Sequence, residues 1–398
     1  MKSGFLAAVA ACSLMLAAPA MAQGVKIGIL NDQSGVYADY GGKYSVEAAR
    51  MAIEDFGGEV LGQKIEMITA DHQNKPDLAT SIARRWYDAD GVDMITELTT
   101  SSVALAVQEL SKEKKKVDIV VGAATSAITG AACTPYGFHW AFDTHALAVG
   151  TGGALVKAGG DSWFFLTADY AFGYALEKDT SEIVTAAGGK VLGSVRVPLN
   201  SSDFSSFLLQ AQSSKAKVIG LANAGQDTDN SIKQSGEFGL VQGGQKLVGL
   251  LMFDTDVHAI GLNAAQGTYM TTASYWNMDE KTRAWSKKFF ARTNVMPTMI
   301  QTGVYGSVLH YLKGIQAAGT DDPQKVMAKM RELPIEDTFV HGGRLREDGR
   351  VIRDMYLAKV KKPSESKKPW DYLDIIKTVK GEDAFRPVSE SKCPLLKK

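Results

Sequence analysis

Short apolar runs alternate with amphipathic segments through most of the chain. Runs at residues 25–30, 92–97 and 117–121 are rich in Val, Ile and Leu and end at turn-forming or hydroxyl residues, which is typical of buried strands. Between them lie segments such as residues 43–56, where apolar side chains recur at helical spacing. This alternation of strand and helix predicts a mainly parallel sheet covered by helices on both faces.

The alternation starts again near the middle of the chain. A helix at 146–157 and a strand at 163–167 open a second series, and no Pro/Ser-rich linker separates it from the first. The pattern therefore predicts two α/β lobes of one design. The pattern in the last third instead predicts three helices and two further strands. Because these elements have little sheet of their own, they must pack on the two lobes, and the chain must pass between the lobes more than once. These segments are helices at 279–293, 299–318 and 323–333, and strands at 355–360 and 370–376.

The first 22 residues have the pattern of a secretory signal peptide. Lys2 supplies a positive start, residues 5–16 are apolar, and Ala20-Met21-Ala22 fits the small-residue cleavage site. Cleavage after Ala22 predicts a periplasmic protein, since the apolar run is too short for a spanning helix. An alternative is that Val9-Ala10-Ala11-Cys12 is a lipoprotein box, which would leave a very short apolar region.

Composition and motifs argue against several function classes. The chain has 44 basic and 44 acidic residues and no basic stripe, so we expect no nucleic-acid partner. The sequence contains no G-x-S-x-G elbow, P-loop, HExxH or CxxC motif, and its six histidines are scattered. We therefore expect no enzymatic activity, no cofactor and no metal site.

Two cysteines, Cys133 and Cys393, remain after signal cleavage. An even number of cysteines in an exported protein favours a disulfide, and the alternative is two free thiols.

Polar or aromatic loops follow six predicted strands. One of them alone is an ordinary turn between a strand and a helix, but six divided evenly between two lobes predict a shared cleft, since ligands collect at the carboxyl ends of parallel strands. The loops are residues 33–41, 99–102 and 122–126 in lobe one, and 169–173, 223–226 and Asp254 in lobe two.

Together these segments resemble a known family. Their order is similar to that in periplasmic branched-chain amino-acid-binding proteins, the type I substrate-binding proteins of ABC importers. The matching segments are Ile27-Gly-Ile, Ser34-Gly35, Tyr40-Gly41, the hydroxyl cluster Thr99-Thr-Ser-Ser102, the small-residue loop with Ala123-Ala-Thr125, and Asp169-Tyr-Ala-Phe-Gly173. The resemblance implies an α/β fold of two Rossmann-like lobes, joined by a three-strand hinge with a ligand cleft between them. It assigns residues 24–143 plus 274–345 to lobe one and 144–273 plus 346–398 to lobe two.

The resemblance also implies ligand contacts. In such proteins the hydroxyl cluster and the small-residue loop hold a ligand carboxylate, aromatic residues pack on the ligand, and an acid holds its ammonium group. The carboxylate contacts correspond here to Thr100, Ser101, Ser102, Ala123 and Thr125, the aromatic contacts to Tyr40 and Phe172, and the acid to Asp254. Tyr170 and Asn223, in the loops of lobe two, complete the expected set.

Two positions depart from the pattern of amino-acid binders. Phe172 stands where they typically carry Tyr, and Ala224 or Gly225 stands at a further aromatic position. We expect a roomier, more apolar pocket for an organic or aromatic acid, or for an amino acid with a larger side chain. Asp254 keeps an amino acid among the candidate ligands, because a buried carboxylate without a cationic or hydrogen-bonding partner costs free energy of folding.

The resulting hypothesis is a monomeric periplasmic receptor that captures a small carboxylate-bearing ligand by hinge closure and delivers it to an inner-membrane ABC permease. The alternative is a periplasmic ligand sensor of the same fold that feeds a regulatory system.

Overall fold

A computed structural model describes residues 24–396, so the predicted signal peptide lies outside the described residues. Within this range no helix is both long and apolar enough to cross a membrane. The strands are β1 Lys26–Asn31, β2 Glu59–Val60, β3 Gln63–Lys64, β4 Glu66–Asp71, β5 Met94–Glu97, β6 Val117–Val120, β7 Gly137–His139, β8 Ser162–Ala168, β9 Lys190–Val197, β10 Val218–Ala222, β11 Lys246–Gly249, β12 Tyr269–Thr272, β13 Arg344–Leu345, β14 Val351–Ile352, β15 Met355–Val360 and β16 Leu373–Val379. The α-helices are α1 Gly42–Phe56, α2 Pro76–Asp88, α3 Ser101–Lys114, α4 Thr144–Lys157, α5 Ala171–Ala186, α6 Ser205–Ser213, α7 Gln226–Glu237, α8 Asp254–Ile260, α9 Leu262–Ala265, α10 Glu280–Thr293, α11 Met299–Ala318, α12 Pro323–Glu332 and α13 Gly381–Ala384.

Lobe one is built on a five-stranded parallel sheet in the order β4-β1-β5-β6-β7. Its central strands are buried on both faces: Ile27, Ile29, Met94 and Ile119 are all fully inaccessible to solvent. Strands buried on both faces have continuous apolar sequences, so the apolar runs predicted these strands correctly. The expected parallel α/β sheet is confirmed for this lobe.

Lobe two repeats the design with a four-stranded parallel sheet in the order β11-β10-β8-β9. β8 and β10 lie at its centre, and Phe165 and Leu221 on them are fully buried. β9 is an edge strand with exposed Leu192 and Val191. The carboxyl ends of β8 and β10 lead directly into α5 and α7.

Late helices and strands tie the lobes together. α11 packs against α1 of lobe one and against α12, while β12, β15 and β16 form a separate antiparallel sheet. Two buried arginines on either side of β14 connect distant segments of the backbone. Arg350 donates to the carbonyl oxygen of Phe142 at 3.0 Å, and Arg353 donates to those of Ala273 and Phe339. The segment around β14 is thus bonded to the backbone just before α4 and to the backbone just after β12.

The predicted lobe boundary at residues 345 and 346 falls inside a hairpin. β13 pairs with β14, and Arg350 forms a parallel bridge with His139 at the edge of the five-stranded sheet. The hairpin therefore lies against lobe one, and the exact division of the chain stays a prediction.

The disulfide between Cys133 and Cys393 is confirmed. The two Cα atoms are 5.5 Å apart, and 260 positions separate the residues along the chain. The bond attaches the end of the chain to the loop that precedes β7.

The apolar run after β10 predicts a strand at residues 247–253, and the observed strand is shorter. The apolar run at residues 247–253 ends as a strand at Gly249, where a Cβ would lie 2.2 Å from the Met252 sulfur, and α8 begins at Asp254. The apolar run correctly predicted burial, since Leu250 to Phe253 are all buried. An apolar run alone does not distinguish a buried turn from a buried strand.

Candidate functional site

A small pocket lies where loops of the two lobes meet. Its cavity volume is ≈ 10 Å³, so the side chains of the two lobes lie close together around it. Lobe one contributes residues from the loops after β1, β5 and β6, and lobe two contributes residues from the loops after β8, β10 and β11. The lining residues are Tyr37, Tyr40, Thr99, Thr100, Ser101, Gly122, Ala123, Ala124, Tyr170, Phe172, Ala224 and Leu251.

The loop after β5 has an unusual backbone. Glu97, Leu98 and Thr100 have φ of 81°, 56° and 68°, a region that non-glycine residues rarely adopt. Each such residue costs about 1–3 kcal/mol and persists only where the surroundings impose it. The turn brings Thr100 and Ser101 to the first turn of α3, directly at the pocket.

Thr100 precedes α3 without capping it through its side chain. Its hydroxyl is buried and has no hydrogen-bond partner, although the residue lines the pocket. The first N–H groups of a helix also lack partners inside the helix, and the helix dipole makes this end positive. This end of the pocket therefore offers donors to an anion.

Glu97 fixes the strained loop from below. Its carboxylate accepts hydrogen bonds from the backbone N–H of Thr99, at 2.7 Å, and from the Thr99 hydroxyl. Burial raises the pKa of Glu97 from 4.5 to about 7, against the lowering effect of these bonds. There is no room for side chains around it, since a Cβ on Gly41 or Gly122 would lie within 3 Å of its Oε1.

The loop after β6 is held by its own neighbours. The Ser101 hydroxyl accepts from the Thr125 N–H at 3.1 Å, and His139 Nε2 donates to the Ala123 carbonyl oxygen at 2.8 Å. Burial lowers the pKa of His139, which keeps its imidazole neutral. The Thr125 hydroxyl accepts from the Ala127 N–H at 3.3 Å and so caps the short 3₁₀ helix Ser126–Thr129.

Aromatic side chains connect the lobes across the pocket. The hydroxyls of Tyr37 and Tyr170 lie 2.6 Å apart, and the ring of Tyr40 stacks on Phe253 with centroids 4.3 Å apart. Burial raises the pKa of both hydrogen-bonded phenols, so both keep their protons. One of these two protons makes the bond between the lobes, and the other can be donated to a ligand.

The loop that carries Tyr37 and Tyr40 is shaped by Asp32. The Asp32 carboxylate accepts from the N–H groups of Gly35, at 2.8 Å, and Tyr37, at 3.0 Å. The carbonyl oxygen of Tyr40 accepts from the Gln301 side chain at the start of α11. Both tyrosines are therefore positioned by contacts within lobe one and with the start of α11.

The extra space expected beside Ala224 and Gly225 is not found, because lobe one fills it. A Cβ on Gly225 would lie 2.6 Å from the Val36 carbonyl oxygen, 3.0 Å from the Tyr40 ring and 3.1 Å from the Tyr37 ring. Small residues in lobe two thus admit the aromatic loop of lobe one, and the pocket is narrower than predicted.

Six of the ten predicted ligand-binding residues line this pocket. They are Tyr40, Thr100, Ser101, Ala123, Tyr170 and Phe172. The side chain of Asn223 instead donates to the Ser231 hydroxyl and accepts from the Thr228 hydroxyl, which fixes the start of α7. Ser102, on the first turn of α3, and Thr125 are likewise not among the lining residues.

Asp254 also lies outside the lining residues, at the first turn of α8. Its Oδ2 atom is buried without a partner, and burial raises its pKa to about 7. Burial, and then the charge of Asp254, raise the pKa of Tyr275, and the same charge adds to the raised pKa of Tyr372. Both of these tyrosines belong to the antiparallel sheet region rather than to the pocket.

The predicted contacts did not include six of the twelve lining residues or the supporting Glu97; the six are Tyr37, Thr99, Gly122, Ala124, Ala224 and Leu251. Tyr37 and Thr99 lie in loops that had been identified, so a rule that took every aromatic or hydroxyl residue of such a loop would have found them. Glu97 ends a predicted strand, and an acid at the end of an apolar run is a signal that could have been used.

Comparison with known proteins agrees with this architecture. Residues 24–367 match the model of the periplasmic binding protein family. Leu/Ile/Val-binding protein homolog 6 of Brucella abortus is 28% identical over 66% of this chain and 68% of its own length.

Solved structures match over nearly the whole chain. A periplasmic binding protein of Burkholderia mallei is 53% identical, with a TM-score of 0.92 over 94% of this chain and 99% of its own. A branched-chain amino acid ABC transporter periplasmic ligand-binding protein of Burkholderia xenovorans is 43% identical, with a TM-score of 0.84 over 93% and 99%. A solute-binding protein of Rhodopseudomonas palustris in complex with 3,4-dihydroxybenzoic acid shares the fold at 24% identity, with a TM-score of 0.82 over 92% and 99%. The chain belongs to the periplasmic binding proteins of ABC transporters, in the group of the Leu/Ile/Val-binding proteins.

Proposed function

We propose that this protein is the extracytoplasmic receptor of an ABC import system, and that it captures a small carboxylate-bearing ligand by closure of its two lobes. The ligand class is an amino acid or an aromatic or other organic acid. The ligand is then delivered to an inner-membrane permease, and the receptor acts as a monomer without nucleic acid.

The observation that carries the proposal is the composition of the pocket at the junction of the lobes. Lobe one supplies the unpartnered Thr100 hydroxyl and the positive end of α3, which suit a carboxylate. Lobe two supplies Phe172 and Leu251, which suit an apolar remainder. A ligand that contacts both lobes stabilises the arrangement in which they touch, which is the physical basis of closure.

Relatives support the ligand class. The Brucella abortus relative is described as a Leu/Ile/Val-binding protein homolog, and the Rhodopseudomonas palustris structure contains an aromatic carboxylate. Amino acids and benzoic acids share only the carboxylate, the group for which we propose the α3 end of the pocket.

A thermal-shift screen tests this proposal. Refolded protein, freed of any co-purified ligand, would be screened against amino acids, aliphatic acids and benzoic acids. A ligand at 100 times its Kd adds about 2.7 kcal/mol to the free energy of unfolding, a shift that is easily measured. We expect at least one carboxylate to raise the melting temperature, and small-angle scattering to show a smaller radius of gyration in its presence. The absence of any such ligand, or binding without compaction, would contradict the proposal.

A further inference from the structure

A buried carboxylate joins the two lobes at a point outside the pocket. Asp179 of α5, in lobe two, is only 2% exposed. Its Oδ2 atom accepts hydrogen bonds from the Ser126 hydroxyl at 2.8 Å and from the Thr144 hydroxyl at 2.5 Å, and its Oδ1 atom accepts one from Arg386 at 3.0 Å. Ser126 belongs to the loop after β6 in lobe one, so a side chain of lobe two is bonded directly to lobe one.

The lobe-one end of this contact is continuous with a loop of the pocket. The loop at residues 122–126 supplies Ala123 and Ala124 to the pocket lining. The Ser126 N–H donates to the Thr144 hydroxyl at 3.0 Å, and the Thr144 N–H donates to the Ala124 carbonyl oxygen at 2.8 Å. Thr144 is the first residue of α4, so the start of α4 holds the same loop that Asp179 holds.

The lobe-two end is continuous with the pocket through α5. Phe172 lies in the first turn of this helix and lines the pocket, and Asp179 lies two turns further along. Residues two turns apart share one face of a helix. One face of α5 therefore contacts the pocket with Phe172 and the Ser126 loop with Asp179, and a rotation of lobe two that moves one of them moves the other.

We propose that Asp179 is a latch of the closed arrangement: by accepting the Ser126 hydroxyl it fixes how the lobes meet and slows the release of bound ligand. The inference rests on the proposed receptor function and adds a positioning residue that lies outside the pocket. A buried carboxylate is stable only while its donors are in place, and hydrogen bonds to a charged acceptor are stronger than neutral ones. Separation of Ser126 from Asp179 thus opposes opening.

Two substitutions remove this bond from its two ends. Ser126 and Asp179 both border a cavity of ≈ 260 Å³, so Ser126→Ala removes the hydroxyl without a need to repack the core. Asp179→Asn keeps the shape of the side chain but can no longer accept hydrogen bonds at both ends. Arg386 retains a partner in that variant, because it also donates to Glu182 at 2.9 Å.

Ser34→Ala is the matched control. The Ser34 hydroxyl donates to the carboxylate of Asp71 at 2.6 Å, which is the same chemistry as the latch. Both residues belong to lobe one, in the loop after β1 and at the end of β4. The control therefore removes a serine–aspartate hydrogen bond that does not join the lobes.

Stopped-flow kinetics of ligand binding test the latch. The probes are leucine and 3,4-dihydroxybenzoate, since one relative is a Leu/Ile/Val-binding protein homolog and one similar structure contains that acid. We expect dissociation of a bound probe to become about tenfold faster in Ser126→Ala and at least as fast in Asp179→Asn, with little change in the association rate. The double variant should match Asp179→Asn alone, because both substitutions remove one bond, and Ser34→Ala should match the parent protein.

The outcomes separate the latch from the receptor function. Unchanged dissociation in both variants, effects that multiply in the double variant, or an equal effect in Ser34→Ala would overturn the latch and leave the receptor function intact. If neither probe binds, the broader ligand screen decides the receptor function, and small-angle scattering of the ligand-free proteins decides the latch. We then expect a larger radius of gyration in both variants than in the parent protein, and an unchanged radius would overturn the latch.

Discussion

Thr100 concentrates the unusual features of the site in one residue. It has a left-handed backbone with φ of 68°, it is buried, and its hydroxyl has no partner. Backbone strain and an unsatisfied polar group each lower the free energy of unfolding, by about 1–3 kcal/mol. Thr100 retains both unfavourable features at the start of a helix. A ligand that accepts a hydrogen bond from its hydroxyl explains why they are retained.

The first prediction concerns this hydroxyl. Thr100→Val replaces it with a methyl group of similar shape, so we expect ligand affinity to fall about 10- to 100-fold, the value of a hydrogen bond to a charged group. Because the hydroxyl has no partner in the protein, the free energy of unfolding without ligand should stay the same or rise. Calorimetry and urea unfolding measure the two quantities.

Thr180→Val is the matched control for that experiment. Thr180 is also fully buried with an unpartnered hydroxyl, but it lies on α5 and does not line the pocket. Its substitution should leave affinity unchanged. Equal losses in both variants would mean that Thr100 acts only through packing.

The second prediction concerns Glu97 and pH. Its pKa is about 7 in the folded protein and 4.5 in the unfolded reference, so the folded chain binds the proton more tightly. The contribution of Glu97 to the free energy of unfolding is therefore fully present below pH 4.5 and is lost as pH rises to 7, a change of about 3 kcal/mol. Glu97→Gln should remove this part of the pH dependence in urea unfolding between pH 4 and 8. A variant with the same slope as the parent protein would contradict the assignment.

At the scale of elements, the loops after β1 and β10 meet at close range. Gly225 precedes α7 with φ of 59°, and only the lack of a side chain admits the Val36 carbonyl oxygen and the Tyr40 ring. The same contact narrows the pocket. A single methyl group added at Gly225 would therefore collide with both the Val36 carbonyl oxygen and the Tyr40 ring.

The third prediction uses this contact. Gly225→Ala should weaken ligand binding at least about tenfold, because its Cβ blocks the approach of the lobes and the ligand then binds a less populated state. The left-handed backbone adds about 1–2 kcal/mol of strain to the folded state. Gly236→Ala on α7 is the control: nothing lies within 4 Å of its Cβ, so it should raise stability slightly and leave affinity unchanged. Retained affinity in Gly225→Ala would exclude a closure mechanism that depends on this contact.

Strands and helices could be predicted from the sequence where apolar positions recur with a regular period or form a continuous run. The helix at 299–318 and the strand at 355–360 were predicted with the observed bounds, because each carries an uninterrupted pattern. The hairpins β2–β3 and β13–β14 were missed, since two-residue strands carry no period.

The candidate site was predictable only in part. Thr100 and Tyr40 follow strand ends, which sequence can locate. Two features could not be predicted because they depend on how the two lobes meet, which no local sequence pattern indicates. These features are the position of Asp254 outside the pocket and the filling of the space beside Gly225.

At the scale of the whole molecule, arginine contacts and the disulfide join segments that are distant along the chain. Arg350 and Arg353 bond the segment around β14 to the carbonyl oxygens of Phe142 and Ala273, and Arg386 pairs with Asp179 of α5 at 3.0 Å. Cys393 joins the same terminal segment to lobe one. The segment at residues 386–393 therefore contacts both lobes.

The fourth prediction concerns the disulfide. Replacing Cys133 and Cys393 together by Ser releases a closed loop spanning 260 positions, so the free energy of unfolding should fall by about 5–6 kcal/mol in the chain-entropy model. Urea unfolding of the double variant measures this, and the parent protein under reducing conditions should lose a similar amount. Because the bond is outside the pocket, ligand affinity should change little, and a large loss of affinity would show that the terminal segment controls the cleft.

The central claim is that the two lobes hold a carboxylate at the start of α3. The most direct test is a crystal structure of refolded protein with the acid that gives the largest thermal shift. We predict that its carboxylate accepts a hydrogen bond from the Thr100 hydroxyl at about 3 Å, with its remainder against Tyr40 and Phe172. A carboxylate bound outside the twelve-residue pocket, or held by lobe two alone, would contradict the account.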